Sequence, residues 1–96
     1  MLESVFQSKL IKELYVRFPG CIVLKNDPEY LQGFPDLLIL FENQWAVLEC
    51  KKDADAPFEP NQEYYLEKLG QMSYANVIYP EIKEDVLYEL QSAFQA

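Results

Sequence analysis

The chain is short of positive charge. Its 96 residues include 8 Lys and Arg against 16 Asp and Glu, and the formal net charge is −8 at pH 7. Proteins that coat nucleic acid usually present a basic surface, because contacts with phosphates supply most of their affinity. An acidic chain should therefore bind nucleic acid weakly, unless metal ions or a local basic cluster compensate for its charge.

Cysteines and long apolar runs are also scarce. Cys21 and Cys50 lie inside apolar segments, which predicts free buried thiols rather than a disulfide scaffold. No apolar run approaches the roughly 20 residues of a membrane helix. The start, Met1–Ser4, lacks the basic and apolar stretches of a signal peptide. The lack of a long apolar run and of signal-peptide features predicts no membrane association, and together with the free thiols it predicts a cytoplasmic location.

Hydrophobic residues make up 50% of the chain, which predicts one folded domain over residues 1–96. Their spacing, together with Pro and Gly, predicts the elements. These are a helix over Leu2–Phe18, a buried strand over Cys21–Leu24, strands over Asp36–Phe41 and Trp45–Lys51, a helix over Pro60–Gly70, a strand over Ala75–Tyr79 and a last helix from Pro80. The order α-β-β-β-α-β-α predicts an α/β fold with a mixed central sheet flanked by helices.

The third predicted strand carries an unusual pair of charges. Side chains alternate along a strand, so Trp45, Val47, Glu49 and Lys51 share one face. Both faces begin apolar, as in a central strand, but this face ends in an acid and a base. Open α/β sheets tend to place ligands at the carboxyl ends of their strands, which makes this end a candidate site.

Asp36 begins the preceding strand, which the polar segment Glu42–Gln44 joins to the third strand as a hairpin. A loop of two or four residues places Asp36 opposite Glu49 or Lys51, on their face. A three-residue loop without a bulge places it opposite Cys50, pointing away from Glu49. The candidate site therefore requires an even loop or a β-bulge.

Two carboxylates and an ammonium group suit phosphodiester hydrolysis with Mg²⁺, which prefers oxygen ligands and activates bound water. Asp36 and Glu49 would hold the ion, while Lys51 would orient water or stabilise charge in the transition state. Two simpler interpretations remain open: Glu49 and Lys51 form a surface ion pair, and Asp36 is a turn residue after Gly33-Phe34-Pro35.

The same residues resemble a nuclease signature. Gly33-Phe34-Pro35-Asp36-Leu37-Leu38-Ile39-Leu40, followed by Glu49-Cys50-Lys51, is similar to the PD-(D/E)XK motif in its VRR-NUC form, and Gln62-Glu63-Tyr64-Tyr65 resembles the Q-x-x-Y motif that follows it. The resemblance covers nearly the whole chain. It implies a restriction-endonuclease-like core and a magnesium-dependent DNA endonuclease, with Mn²⁺ able to substitute, in a bacterial or phage-infected host cytosol.

The resemblance also implies roles for individual residues. Asp36 and Glu49 would be metal ligands, Lys51 the catalytic lysine and Gln62 a further catalytic residue, while the backbone carbonyl of Cys50 would complete the metal coordination. Glu3 matches an acidic ligand that many members supply from their first helix. Alternatively, Glu3 is an acid favoured by the helix dipole, and Gln62 is a solvated polar residue at a helix start.

Three functions remain open at this stage. The chain is a DNA endonuclease for branched substrates such as Holliday junctions, as stand-alone relatives suggest; a nuclease for single strands, nicks or RNA; or a non-catalytic module that binds nucleic acid or protein. The intact cluster of Asp36, Glu49 and Lys51 argues against the third. Junction resolution needs two cuts and thus predicts a homodimer, against the alternative of a monomer whose aromatic residues fill its own core.

Overall fold

The computed structural model describes residues 1–95, so Ala96, the last residue of the predicted domain, lies outside the described residues. The helices are α1 (Glu3–Arg17), α2 (Gln62–Gly70) and α3 (Lys83–Gln95), and the strands are β1 (Ile22–Lys25), β2 (Leu37–Phe41), β3 (Gln44–Cys50) and β4 (Tyr74–Ile78). The predicted α/β class and the order α-β-β-β-α-β-α are confirmed. No helix among these residues is long and apolar enough to cross a membrane.

The four strands form one mixed sheet in the order β1-β2-β3-β4. β1 and β2 pair antiparallel, as do β2 and β3, whereas β3 and β4 run parallel and are joined through α2. A parallel pair needs such a crossover, because a tight turn reverses the direction of the chain and can join only antiparallel strands. β3 therefore lies inside the sheet, and its residues from Ala46 to Cys50 are all buried.

Helices α1 and α3 cover one face of the sheet. Phe6, Leu10 and Leu14 recur at helical spacing along α1 and pack into a core with Leu48 of β3 and Leu90 of α3. Cys21 and Cys50 are free and buried, as predicted. Leu2 was predicted to belong to this helical stripe, but it precedes α1 and is exposed, because the helix begins one residue later.

The opposite face is covered only in part. Leu69 of α2 is buried, and Gly70 of α2 lies near Ala75, which pairs with Val47 of β3. Among residues 1–95, no helix buries the half of this face formed by β1 and β2, where Ile22 and Leu24 are 53% and 48% exposed. The prediction that β1 is a buried strand is therefore wrong for this face.

Other element boundaries also differ from the predictions, by one to three residues. Asp36 precedes β2, and Lys51 follows β3, so both lie just beyond the strand ends. The residues Pro80–Ile82 form a short 3₁₀ turn, and α3 begins only at Lys83. Proline has no N–H to donate, which suits it to this first turn before the helix.

The loop before β2 touches the start of α2 at a glycine. Gly33 has a φ of +88°, and a Cβ built on it would lie 2.5 Å from the Cβ of Asn61 and 2.6 Å from the carbonyl oxygen of Pro60. Asn61 itself, which precedes α2, has a φ of 71°. The loop and the helix start therefore approach each other backbone to backbone, which only glycine at position 33 allows.

This contact predicts unequal effects of two glycine substitutions. Gly20 also has a positive φ, but a Cβ there would meet nothing within 4 Å. Gly20→Ala should lower the free energy of unfolding by about 1 to 2 kcal/mol through backbone strain alone. Gly33→Ala should lose about 1 to 3 kcal/mol more, because atoms must shift to admit the methyl group. Urea denaturation measures both, and equal losses would show that the contact at Gly33 does not constrain the fold.

Candidate active site

The β2–β3 hairpin sets the positions of the first two site residues. The ladder pairs Phe41 with Gln44 and Leu37 with Leu48, so the loop has two residues, Glu42 and Asn43. Glu42 adopts a φ of 56°, which a tight hairpin turn requires. One residue pair beyond Leu37 and Leu48, the same register places Asp36 opposite Glu49. The even loop that the site requires is present.

The carboxylates of Asp36 and Glu49 each accept a hydrogen bond from a backbone N–H of the other strand's segment. The Asp36 N–H donates to Glu49 Oε1 at 3.2 Å, and the Cys50 N–H donates to Asp36 Oδ2 at 2.9 Å. Each carboxylate thus reaches across to the other strand. The Cys50 backbone lies beside the Asp36 carboxylate, and its thiol contributes to the core on the far face of the sheet.

Glu49 and Lys51 are buried, with residue exposures of 2% and 7%. They are the only charged residues among the described ones that are buried to this degree. The interpretation of the pair as a surface ion pair is therefore wrong. Their Nζ···Oε2 distance is 3.7 Å. Burial of two charges is costly unless hydrogen bonds satisfy the remaining atoms of both groups.

Gln62 supplies these hydrogen bonds from the first turn of α2. Its Nε2 donates to Glu49 Oε2 at 2.9 Å, and its Oε1 accepts from Lys51 Nζ at 2.7 Å. The same Oε1 accepts from the Glu59 N–H at 2.7 Å. These partners fix the orientation of the amide, because a flipped amide would turn its NH₂ group toward an ammonium. Gln62 is thus a bridge between Glu49 and Lys51 rather than a solvated residue.

The segment between β3 and α2 completes the surroundings of Lys51. Its Nζ donates to the Pro57 carbonyl oxygen at 3.0 Å and lies 5.4 Å from the centre of the Phe58 ring. The ammonium therefore has three oxygen neighbours and an aromatic face. Neither Pro57 nor Phe58 was among the predicted site residues, because nothing in the spacing of Asp53–Pro60 indicates which part of this loop folds back over Lys51.

Burial and like charge together disfavour two ionised acids at this point. The pKa of Glu49 is raised to about 8, first by burial and then by the neighbouring charge of Asp36. The pKa of Asp36 is raised mainly by burial, against the hydrogen bond from the Cys50 N–H, which lowers it. Burial and the charge of Asp36 therefore favour a proton on this pair near neutral pH, and a bound cation would favour its release.

Glu3 reaches the same cleft from the start of α1. An open cleft of about 210 Å³ is lined by Glu3, Asp36, Glu49, Lys51, Lys52 and Gln62, together with residues of the β3–α2 loop. The pKa of Glu3 is raised by burial and then by the charge of Asp36, which lines the same cleft. All the predicted site residues thus converge on one end of the sheet.

The donor set of this cleft fits a magnesium ion. Mg²⁺ keeps several waters and is commonly bound through one or two carboxylates, which Asp36 and Glu49 provide. Among residues 1–95, no group of three or more His, Cys, Asp or Glu side chains is arranged to hold a metal ion as it stands. Glu3 and Glu59, which also line the cleft, are further carboxylates available to such an ion.

The raised pKa of Glu49 predicts a pH dependence of stability. The unfolded chain releases this proton near the ordinary value of 4.5 and the folded protein near 8. Between these values the folded state binds more protons, so stability falls as the pH rises. We expect the melting temperature without metal to decrease from pH 5.5 to 8.5, and Glu49→Gln to flatten that decrease. Glu63→Gln, at an exposed position of α2, should behave as wild type. Equal slopes for all three proteins would contradict the burial of the Glu49 charge.

Comparison of the chain with protein-family models, with curated proteins and with solved structures found no significant match. The resemblance to the VRR-NUC nucleases therefore rests on the quoted motifs.

Proposed function

We propose that the protein is a magnesium-dependent DNA endonuclease with a restriction-endonuclease-like core of the VRR-NUC type. The observation that carries the proposal is the pairing of Asp36 with Glu49 across the hairpin, beside a buried Lys51. Buried acids with a raised pKa are costly to a fold and are concentrated at functional sites. The α-β-β-β-α-β-α order is the one that the resemblance implies.

Each residue has a task in this proposal. Asp36 and Glu49 would hold the cation, with the Cys50 backbone carbonyl and Glu3 as further oxygen donors. Bound Mg²⁺ supplies a Lewis acid and lowers the pKa of water enough to make a nucleophile. Mn²⁺ accepts the same oxygen ligands and should substitute. The Lys51 ammonium would exchange one of its present acceptors for a phosphate oxygen and stabilise the developing charge.

Gln62 acts as a positioning residue in this scheme. It contacts both Glu49 and Lys51, so it fixes the distance between the metal ligand and the cation. Long side chains such as Glu and Lys lose considerable rotamer entropy when held in one geometry. A bridge already formed in the folded protein removes that cost from substrate binding.

The proposal predicts the loss of cleavage in two variants. Asp36→Ala and Glu49→Ala should each reduce the cleavage rate by at least about a hundredfold, because metal ligands matter more than the outer partners that orient them. Asp55→Ala removes an exposed carboxylate of the β3–α2 loop and should leave the rate unchanged. The assay compares linear, flapped, single-stranded and four-way DNA with Mg²⁺ or Mn²⁺, with folding checked by circular dichroism. Full activity of folded Asp36→Ala would exclude the proposed metal site.

We further propose that the protein acts as a homodimer on DNA, including branched DNA, so that two active sites cut two strands. What supports the dimer is the uncovered apolar half of the sheet, where Ile22, Leu24 and Leu40 are exposed on one face. Monomeric proteins rarely leave large contiguous apolar patches in water. This face lies away from α1 and α3 and is continuous with the face that carries Glu49.

The dimer predicts different effects of two similar substitutions. Leu24→Glu should convert the wild-type dimer to a monomer of 11.3 kDa at micromolar concentration, because it places a charge in the proposed interface. Val16→Glu changes a more exposed aliphatic residue on α1, in the opposite layer, and should leave the dimer intact. Light scattering measures both masses. A wild-type monomer that stays monomeric with DNA would exclude the dimer and the symmetric form of cutting.

A further inference from the structure

A second cleft adjoins the candidate active site on the side of α2. It has a volume of about 440 Å³ and is lined by Phe58, Glu59, Pro60, Asn61, Glu63 and Tyr64. Glu59 also lines the cleft that holds Asp36 and Glu49, so the two clefts are neighbours that share this residue. We call the second one the aromatic cleft, after Phe58 and Tyr64.

The two rings are exposed although each is held in place. Phe58 is 42% exposed and Tyr64 58% exposed. One face of Phe58 is turned to the Lys51 ammonium. The Tyr64 ring contacts Tyr65 at 5.2 Å between centroids, and Tyr65 in turn contacts Phe34 at 5.6 Å. Rings fixed in this way offer a flat apolar surface to a ligand at little further cost in entropy.

The charges of the aromatic cleft exclude a phosphate as its occupant. Its lining contains two carboxylates, Glu59 and Glu63, and no Lys or Arg. A phosphate would be repelled there. A neutral, flat group with N–H donors would be accepted, because the rings stack on its faces and carboxylates accept its hydrogen bonds. Nucleobases have both properties.

We propose that the aromatic cleft binds an unpaired nucleobase of the DNA strand whose phosphate lies at Lys51. Within a duplex both faces of a base are stacked on its neighbours, so a base reaches a protein ring only when it is unpaired or extruded. The substrate class is therefore DNA with an unpaired or extruded nucleotide next to the scissile phosphate. This inference rests on the proposed function, and it names the substrate feature that the same site selects.

The net charge of the chain supports the same conclusion. Lys51 and Lys52 are the basic residues that line the active-site cleft. Two phosphate contacts to a single strand predict a slope of log K against log salt of only about −1.4. Affinity must then come from interactions other than phosphate contacts. Stacking on an aromatic side chain contributes about 1 to 3 kcal/mol per base and tolerates any base.

The test measures binding of the full chain to a fluorescent thymidine oligomer in EDTA, so that cleavage plays no part. Tyr64→Ala should weaken binding by about 5- to 150-fold, the equivalent of one stacked base. Tyr64→Phe should bind as wild type, because it keeps the ring, and Tyr64→Leu should behave as the alanine variant. Tyr88→Ala removes a comparably exposed tyrosine from α3, in the opposite layer, and should have no effect.

An abasic oligomer of the same length separates stacking from a structural effect. Wild type should bind it about as weakly as Tyr64→Ala binds the thymidine oligomer, and the Tyr64 substitution should then change nothing further. Unchanged thymidine-oligomer binding in folded Tyr64→Ala, an equal loss on the abasic oligomer, or a salt slope steeper than about −4 would each overturn the inference. The Asp36→Ala cleavage result tests the proposed function separately, since binding in EDTA does not depend on it.

Discussion

The structure of the site depends on one constraint: Glu49 is a carboxylate inside the sheet, almost wholly removed from water. A buried charge without partners is far more costly than the hydrophobic packing of one residue can offset. Every group around it reduces that cost. Lys51 supplies the opposite charge, and the Asp36 N–H and the Gln62 amide donate hydrogen bonds. The remaining cost appears as the raised pKa of Glu49, which favours its protonated form.

These partners come from three separate parts of the chain, and their arrangement depends on backbone geometry. The two-residue hairpin loop fixes Asp36 opposite Glu49; a shift of one residue would turn it to the other face. The close approach of Gly33 to Asn61 fixes the start of α2, and with it Gln62. The two-residue hairpin turn and Gly33 thus determine whether the polar groups lie within hydrogen-bond distance of Glu49, although neither contacts Glu49 directly.

Much of this arrangement was predictable from local patterns. Strand alternation predicted that Glu49 and Lys51 lie on one face. The number of residues in the hairpin loop decides whether Asp36 lies on the same face, and an even number was the stated requirement. The same reasoning failed for β1, because an apolar run shows that a strand is hydrophobic but not whether a helix will cover it. The contacts of Lys51 with Pro57 and Phe58 were not predictable, because the path of an irregular loop depends on tertiary packing rather than on sequence period.

The present state of Lys51 bears on how such a site would work. Its ammonium group has three protons, and its oxygen neighbours are Gln62, Pro57 and Glu49. A phosphate oxygen can contact it only by replacing one of these. Glu49 is the weakest of the three by distance, and it is also the group that a divalent cation would engage. In the proposed function, Glu49 would hold the cation, and the Lys51 ammonium would be available to a phosphate oxygen. A bound cation would then strengthen the attraction of this acidic cleft for phosphate, which reconciles the net charge of −8 with a substrate made of phosphates.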